Sequence, residues 1–466
     1  MSSQPEQLKR AMTSRHMMMI SIGAIIGTGL FLNTGYTIGA AGPGGTILSY
    51  IFGAFIMWMV MVCLGELSIA MPESGSFQEF SHRLISPAAG HAIGWLYWFC
   101  WVLCIAWYLS AVGIYMQYWM PNIPPQVWYL IFGVVLFIFN SLSSNDFGEG
   151  QFWFAGMKVI AIVVFALIAL AAAFGLIGGG TIPGMNNLVA HQGFFPFSIF
   201  AILPVMISVA FSYQGCEIVG NTAGESVDPQ KEMPKAIRST IFQVTGVYVF
   251  SVIMLMVIVP WTELGLSESP FVTALARIGI PGADHVMNLI VIISALSAAN
   301  SAIYCCTRFV YGLSLRGSAP KSLIKLNKRQ IPLNSLILTY VGIIICILTG
   351  EIPLLANTLN AWMWAVSAVI GVLAWIVIAV CLIAFRRKLK REGKSVDELA
   401  YRSPGYPLVP ILVIVLNLII IFSMLFDEGQ RLNFYIGVPI IVLTYLFFIF
   451  YERSKKSASR DDSIKA

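Results

Sequence analysis

Twelve apolar runs follow one another along the 466 residues, separated by short charged or Pro/Gly-rich stretches. They lie at about 17–38, 44–70, 90–118, 125–144, 151–176, 196–220, 238–260, 284–314, 332–350, 359–385, 408–426 and 433–451. As helices, runs of this length cross the hydrocarbon core of a bilayer. Two of them are interrupted. Gly23, Gly27 and Gly29 crowd the first, and Ser212, Gln214, Gly215 and Glu217 interrupt the sixth. Backbone that unwinds within a membrane strands N–H and C=O groups at several kcal/mol each unless they line a cavity. Breaks at corresponding positions of two halves point to a transporter binding site near the membrane midplane.

Charge placement turns the runs into a topology. Apolar residues make up 58% of the chain and charged residues 11%, against about 25% charged in a soluble domain. No Asp, Glu, Lys or Arg occurs between Arg15 and Glu66, Arg83 and Asp146, or Lys158 and Glu217. With the N-terminus in the cytoplasm, 25 of the 28 Lys and Arg residues fall on the cytoplasmic side. Arg277 and Arg431 lie outside, and Lys158 lies within the fifth run. This bias predicts a multi-pass protein of the inner (cytoplasmic) membrane with both termini cytoplasmic. The breaks head runs one and six, so the first ten runs form two sets of five that enter from opposite sides, an inverted repeat. The expected fold is therefore an all-α membrane protein of twelve transmembrane helices. Its parts are a tail (1–16), a first five-helix repeat (17–176), a second (196–385), helices eleven and twelve (408–451) and a C-terminal tail (452–466).

Other signals are narrower. The polar N-terminus lacks the features of a secretory signal, so the first run is expected to remain in the mature protein. Eight cysteines, mostly inside apolar runs, read as small hydrophobes and not as a disulfide framework. Five histidines show no metal-ligand spacing. No metal or cofactor is expected, and the net charge of +6 follows the membrane and not a nucleic acid.

At the first break, backbone amides of Thr28 and Gly29 suit a carboxylate. Carbonyls near Ile25, and near Phe211, Gln214 and Gly215 in the sixth run, suit an ammonium group. Together they match a zwitterion. The plainer alternative is close helix packing through small residues at Gly23 and Gly27. Lys158 either snorkels to the interface or is a functional intramembrane charge. Since desolvation disfavours a buried ammonium, Lys158 is a candidate for releasing and regaining a proton. Glu217 is the carboxylate nearest the middle of a run and a candidate for proton or substrate coupling. Glu225 is a further candidate for proton coupling, although it lies beside the loop of Asp228 and Lys231, where a structural salt bridge is the simpler reading. In run eight, Asn300 and Ser301 are either polar glue between helices or partners of Lys158 or of an ion. Glu66 reads as a contact to a loop.

These residues resemble those of a known family, the bacterial amino acid permeases of the amino acid–polyamine–organocation superfamily. The resemblance spans nearly the whole chain, through Gly27-Thr-Gly-Leu-Phe31, Leu64-Gly-Glu-Leu67, Pro72-Glu-Ser-Gly-Ser-Phe77, Glu149-Gly-Gln-Phe-Trp-Phe154, Ala223-Gly-Glu-Ser226, Leu296-Ser-Ala-Ala-Asn-Ser301 and Tyr401-Arg-Ser-Pro-Gly-Tyr-Pro-Leu408. Permeases for arginine, lysine and S-methylmethionine are the nearest in kind. The resemblance implies proton-coupled amino acid import by alternating access in a LeuT-like fold. It implies that Thr28 and Gly29 amides meet the substrate carboxylate, and that carbonyls of runs one and six meet its amino group. It also implies that Lys158 stands where related carriers hold a sodium ion, and that Glu217 and Glu225 match recurring acidic residues. One departure bears on selectivity. Run three carries Trp107 and Tyr108 where many relatives have an acidic residue, so Trp107 is a candidate for the side-chain pocket and the substrate is left open as cationic or neutral. An exchanger and a membrane amino acid sensor are the alternatives. The sensor is disfavoured by the short tails, and an enzyme by the lack of a nucleophile with an ordered base. The expected partners are an amino acid, a proton and the lipid bilayer, with no obligatory protein partner.

Overall fold

The computed structural model describes residues 10–31, 33–142, 144–177, 184–264, 269–350 and 353–465. Among these the regular structure is helical apart from one isolated bridge, Met12 to Ser226. Ten helices are long and apolar enough to cross a membrane: Asn33–Ala70, Pro87–Met116, Phe147–Ala173, Ile199–Glu225, Pro229–Ile258, His285–Leu315, Leu333–Gly350, Val366–Arg391, Leu408–Phe426 and Arg431–Lys455. Pro125–Asn140 is apolar over 16 residues. Before the first of the ten come Ser14–Ile25 and Thr28–Phe31, separated at Ile26 and Gly27. The chain bends at Gly42 and Pro43, between the first and second expected runs. The all-helical architecture follows from the solvent: in lipid only a helix or a closed barrel satisfies its own backbone.

Helix starts follow local chemistry. Pro87, Pro125 and Pro229 each occupy the first turn of a helix, where a missing N–H costs nothing. The Ser86 hydroxyl also accepts from the Ala89 amide at 3.1 Å. The helix holding Lys158 begins at Ser144, seven residues before the expected 151. Lys158 thus lies 14 residues from the helix start, and its ammonium is buried against carbonyls of the first run. His285–Leu315 is the most enclosed of the ten helices, with 78% of its apolar stretch buried, and Arg431–Lys455 the least, at 11%. Ile199–Glu225, which carries the second break, is 67% buried over its apolar stretch, and Phe147–Ala173, which carries Lys158, is 33% buried.

The charged end of the bundle is pinned by three buried carboxylates. Glu66 accepts from Arg386 at 2.5 and 2.7 Å and from the Ser403 amide at 2.7 Å, so it ties the second run to the tenth as well as to a loop. Glu79, on the helix Ser76–Leu84, accepts from Arg83 at 2.7 Å and from Arg316. Burial acts to raise the Glu79 carboxyl, but Arg316 and Arg83 outweigh it and hold it below the usual carboxylate range. Glu225 accepts from Arg308 at 2.8 and 3.3 Å and from the Tyr304 hydroxyl at 2.7 Å. The chain just before Ser14 is drawn into this end, since the Ala11 and Met12 amides both donate to the Glu225 carbonyl at 2.9 Å. Arg308 corrects the charge count. Counted above with the cytoplasmic loops, it is buried inside the helix Ala283–Leu315 (2% exposed) and serves as a counter-ion.

Candidate functional site

The two helix breaks lie against each other. The helix Ile202–Tyr213 ends at Gln214, and Gly215 (φ 101°) turns the chain into the 3₁₀ segment Cys216–Glu225. Only glycine adopts that backbone without strain. A Cβ at Gly215 would stand 2.9 Å from the Ala24 Cβ and 3.1 Å from the Ile25 nitrogen. Side chains stitch the interrupted runs together. The Ser212 hydroxyl donates to the Gly29 carbonyl at 3.0 Å, Ser21 to the Cys216 carbonyl at 3.2 Å, and the Asn33 amide to the Ser208 carbonyl at 2.9 Å.

Helix ends leave carbonyls without intrahelical partners and with partial negative charge. At the end of Ser14–Ile25, two groups use them. The buried Lys158 ammonium donates to the Gly23 carbonyl at 2.6 Å, to the Ile26 carbonyl at 2.5 Å, and, across to the eighth run, to the Ser294 carbonyl at 3.5 Å. No Asp or Glu lies within salt-bridge distance of it among the described residues. The Tyr248 hydroxyl sits between the Ile25 carbonyl (2.8 Å) and the Ser212 carbonyl (3.2 Å), bridging both breaks.

Glu217 lies at the second break with partners on two other runs. Its fully buried carboxylate accepts from the Tyr97 hydroxyl, the Trp375 indole at 3.0 Å, the Gly215 amide at 3.2 and 3.3 Å and the Cys216 thiol at 3.3 Å. These donors are neutral, so the carboxylate closes the sixth-run break onto the third and tenth runs. Gln214 turns toward the tenth run and donates to the Ala368 carbonyl at 3.2 Å. Asn300 and Ser301 belong to a separate polar chain. Asn140 donates to Asn300 at 2.7 Å, Asn300 to Gln151 at 2.7 Å, and Gln151 to Ser301 at 2.8 Å and Ser297 at 2.9 Å. Ser301 then donates to the Ile20 carbonyl at 3.1 Å. The eighth-run atom that meets Lys158 is thus the Ser294 carbonyl, one turn and more away.

The expected residues therefore separate into groups. Ile25, Gly29, Phe211, Gln214 and Gly215 meet at the two breaks, with the backbone of Thr28 opening the helix Thr28–Phe31. The Thr28 side chain lies outside the described residues. Trp107 is half-buried beside Tyr108, their rings 5.9 Å apart. Tyr108 comes nearer the first break, its hydroxyl oxygen 3.7 Å from where a Cβ at Gly27 would stand. Glu225 sits apart, in the ion pair with Arg308. Sequence reading missed Tyr97, Tyr248, Trp375 and Gln151. The available signal was the rule that a buried tyrosine, tryptophan or amide needs a partner for its polar tip.

The tight approach of the breaks gives a direct test. A Cβ at Gly29 would stand 2.9 Å from the Ser212 Cα, a distance the two backbones must open to accommodate. Overpacking of this kind costs about 1–3 kcal/mol of stability, and the share of it that falls on the bound state alone weakens binding by up to about 150-fold. Gly29→Ala is expected to weaken substrate binding within that range while the protein still purifies as a monodisperse species. Unchanged binding would show that the Gly29–Ser212 contact does not shape the site.

Comparison with known proteins follows the same lines. A family model described as amino acid permease matches residues 16–460. The chain is 42% identical to the amino-acid permease RocC of Bacillus subtilis over 451 residues, covering 96% of each chain. It is 35% identical to the lysine-specific permease LysP of Escherichia coli, covering 94% of this chain and 92% of that one. It is 35% identical to the gamma-aminobutyric acid permease of Bacillus subtilis, covering 98% and 97%.

Proposed function

The chain belongs to the amino acid permease family, a family of membrane transporters and not enzymes, and from that membership we propose that it imports an amino acid together with a proton by alternating access. The reading extends to twelve spans, counting the broken Ser14–Phe31 region and Pro125–Asn140 with the ten long helices. It takes 17–176 and 196–385 as inverted five-helix repeats with 408–451 appended, and puts both termini in the cytoplasm on the strength of the Lys and Arg bias.

In this reading the substrate carboxylate meets the Thr28 and Gly29 amides. The substrate ammonium meets the carbonyls of Ile25 and Phe211. Trp107 and Tyr108 border the side-chain pocket. Lys158 is the proton carrier, and the observation that carries this assignment is its set of partners. All three are neutral carbonyls, two from the first run and one from the eighth. A proton can leave such a site without stranding a buried carboxylate. While charged, the ammonium grips the broken helix and the eighth run together through charge-assisted bonds. Once neutral it holds them less firmly, so the contact between the first and eighth runs depends on whether the proton is bound. Glu217 sets the shape of the second break, and Glu225 clamps the charged end.

The experiment is uptake into proteoliposomes under an imposed inward proton gradient, with competition by the twenty amino acids, ornithine and S-methylmethionine. Accumulation driven by the gradient is expected, with a subset of the panel competing. Uptake indifferent to the gradient would remove the symport reading, and a panel without competitors would remove the substrate class.

A further inference from the structure

We propose that a groove at the charged end of the bundle binds one phospholipid with an anionic headgroup. The groove, of about 520 Å³, runs between the short helix Ser76–Leu84 and the end of Pro353–Arg391. Its two ends differ in chemistry. Val380 and Ile383 floor the part nearer the membrane interior, and Arg387, Lys388 and Arg391 line the outer part, with Arg83 on the opposite wall. Positions 380, 384, 387 and 391 fall on one helix face. That face changes from apolar to basic where the apolar stretch of the helix ends, the level at which a phospholipid passes from acyl chain to headgroup.

The protein balances the charges only in part. Arg83 is held by Glu73 and Glu79, at 2.7 Å each, and Lys388 lies 3.9 Å from Glu392. Arg387 and Arg391 are exposed and have no carboxylate within salt-bridge distance among the described residues. They stand one turn apart on the helix, an arrangement in which like charges repel. A phosphate placed between them would relieve the repulsion, and guanidinium groups hold phosphate oxygens in a bidentate fork. Basic pockets between helices at a membrane surface are suited to acidic lipid headgroups for these reasons. This proposal is independent of the transport reading, because it uses no residue of the helix breaks.

The test is native mass spectrometry of the full chain in neutral detergent, titrated with dioleoyl phosphatidylglycerol, dioleoyl phosphatidylcholine or inorganic phosphate. One saturable phosphatidylglycerol is expected, with phosphatidylcholine at least about tenfold weaker. Each basic residue near an anionic headgroup contributes about fivefold, so R387Q/R391Q should weaken phosphatidylglycerol binding by about 25-fold and leave phosphatidylcholine unchanged. Val380→Trp, which fills the apolar end without altering charge, should also weaken it. K325Q/K328Q, at another exposed basic cluster, should not. Wild-type binding by R387Q/R391Q would overturn the proposal, as would an equal loss in K325Q/K328Q, which indicates a general field. Displacement of the lipid by inorganic phosphate would reassign the groove to a soluble anion.

Discussion

Lys158→Met is expected to abolish the response of amino acid accumulation to a pH gradient while exchange of substrate across the membrane continues. The variant should survive folding, because two energies oppose each other. Removing a buried ammonium relieves a desolvation penalty of several kcal/mol. It also leaves the Gly23 and Ile26 carbonyls without their donor, at about 1–3 kcal/mol each. A companion substitution separates proton carriage from mere cationic anchoring. Arginine stays charged under any physiological condition, so Lys158→Arg can still bond helix-end carbonyls but cannot hand over a proton. Both variants should exchange labelled substrate, and neither should concentrate it under a gradient. If Lys158→Arg accumulates substrate like the wild type, the lysine is an anchor and not the carrier.

Arg308→Met is expected to produce the largest loss of stability. Both members of the Arg308–Glu225 pair are buried, 2% and 0% exposed, and the guanidinium also lies 3.8 Å from the centroid of the Tyr304 ring. Removing the arginine takes the Arg308 charge away from a carboxylate buried in the interior. Breaking one side of a buried pair typically costs about 3–5 kcal/mol. Because the Glu225 carbonyl also holds the Ala11 and Met12 amides, the segment before Ser14 should loosen with it. Replacing both charges together, as in E225L/R308M, should recover most of the loss, since apolar residues of similar volume often substitute for an ion pair without cost. Thermal unfolding of the three variants in detergent checks the order. The double variant also bears on function. It should still respond to a pH gradient if Glu225 is a clamp, and lose the response if Glu225 carries the proton.

The parts of this architecture legible in the sequence were those that break a pattern within one run. Gly27 and Gly29 stand out in an apolar stretch, and Lys158 stands out as the one charge between Glu149 and Glu217. The helix ends at Ile25 and Tyr213 fall where those residues interrupt the runs. What escaped was whatever depends on a second run far away in the chain. Tyr97, Tyr248 and Trp375 are aromatic residues on apolar helices, and periodicity does not distinguish one that packs from one whose polar tip caps a break more than a hundred residues away. Arg308 escaped for another reason. It lies less than three turns from Arg316 and was counted with that cytoplasmic cluster, although the helix carries it into the bundle beside Glu225. Glu217 was legible as an intramembrane carboxylate, but its partners Tyr97 and Trp375, on the third and tenth runs, were not.

The central claim is that substrate and proton move together through the two breaks. Proteoliposomes enclosing a pH-sensitive dye test it without any imposed gradient: a saturating dose of a transported amino acid is added outside and the lumen is followed. Symport through Lys158 predicts that the lumen acidifies as labelled substrate enters, and that Lys158→Met vesicles exchange substrate with no change in lumen pH. Labelled amino acid entering wild-type vesicles while the lumen pH stays constant would contradict the account.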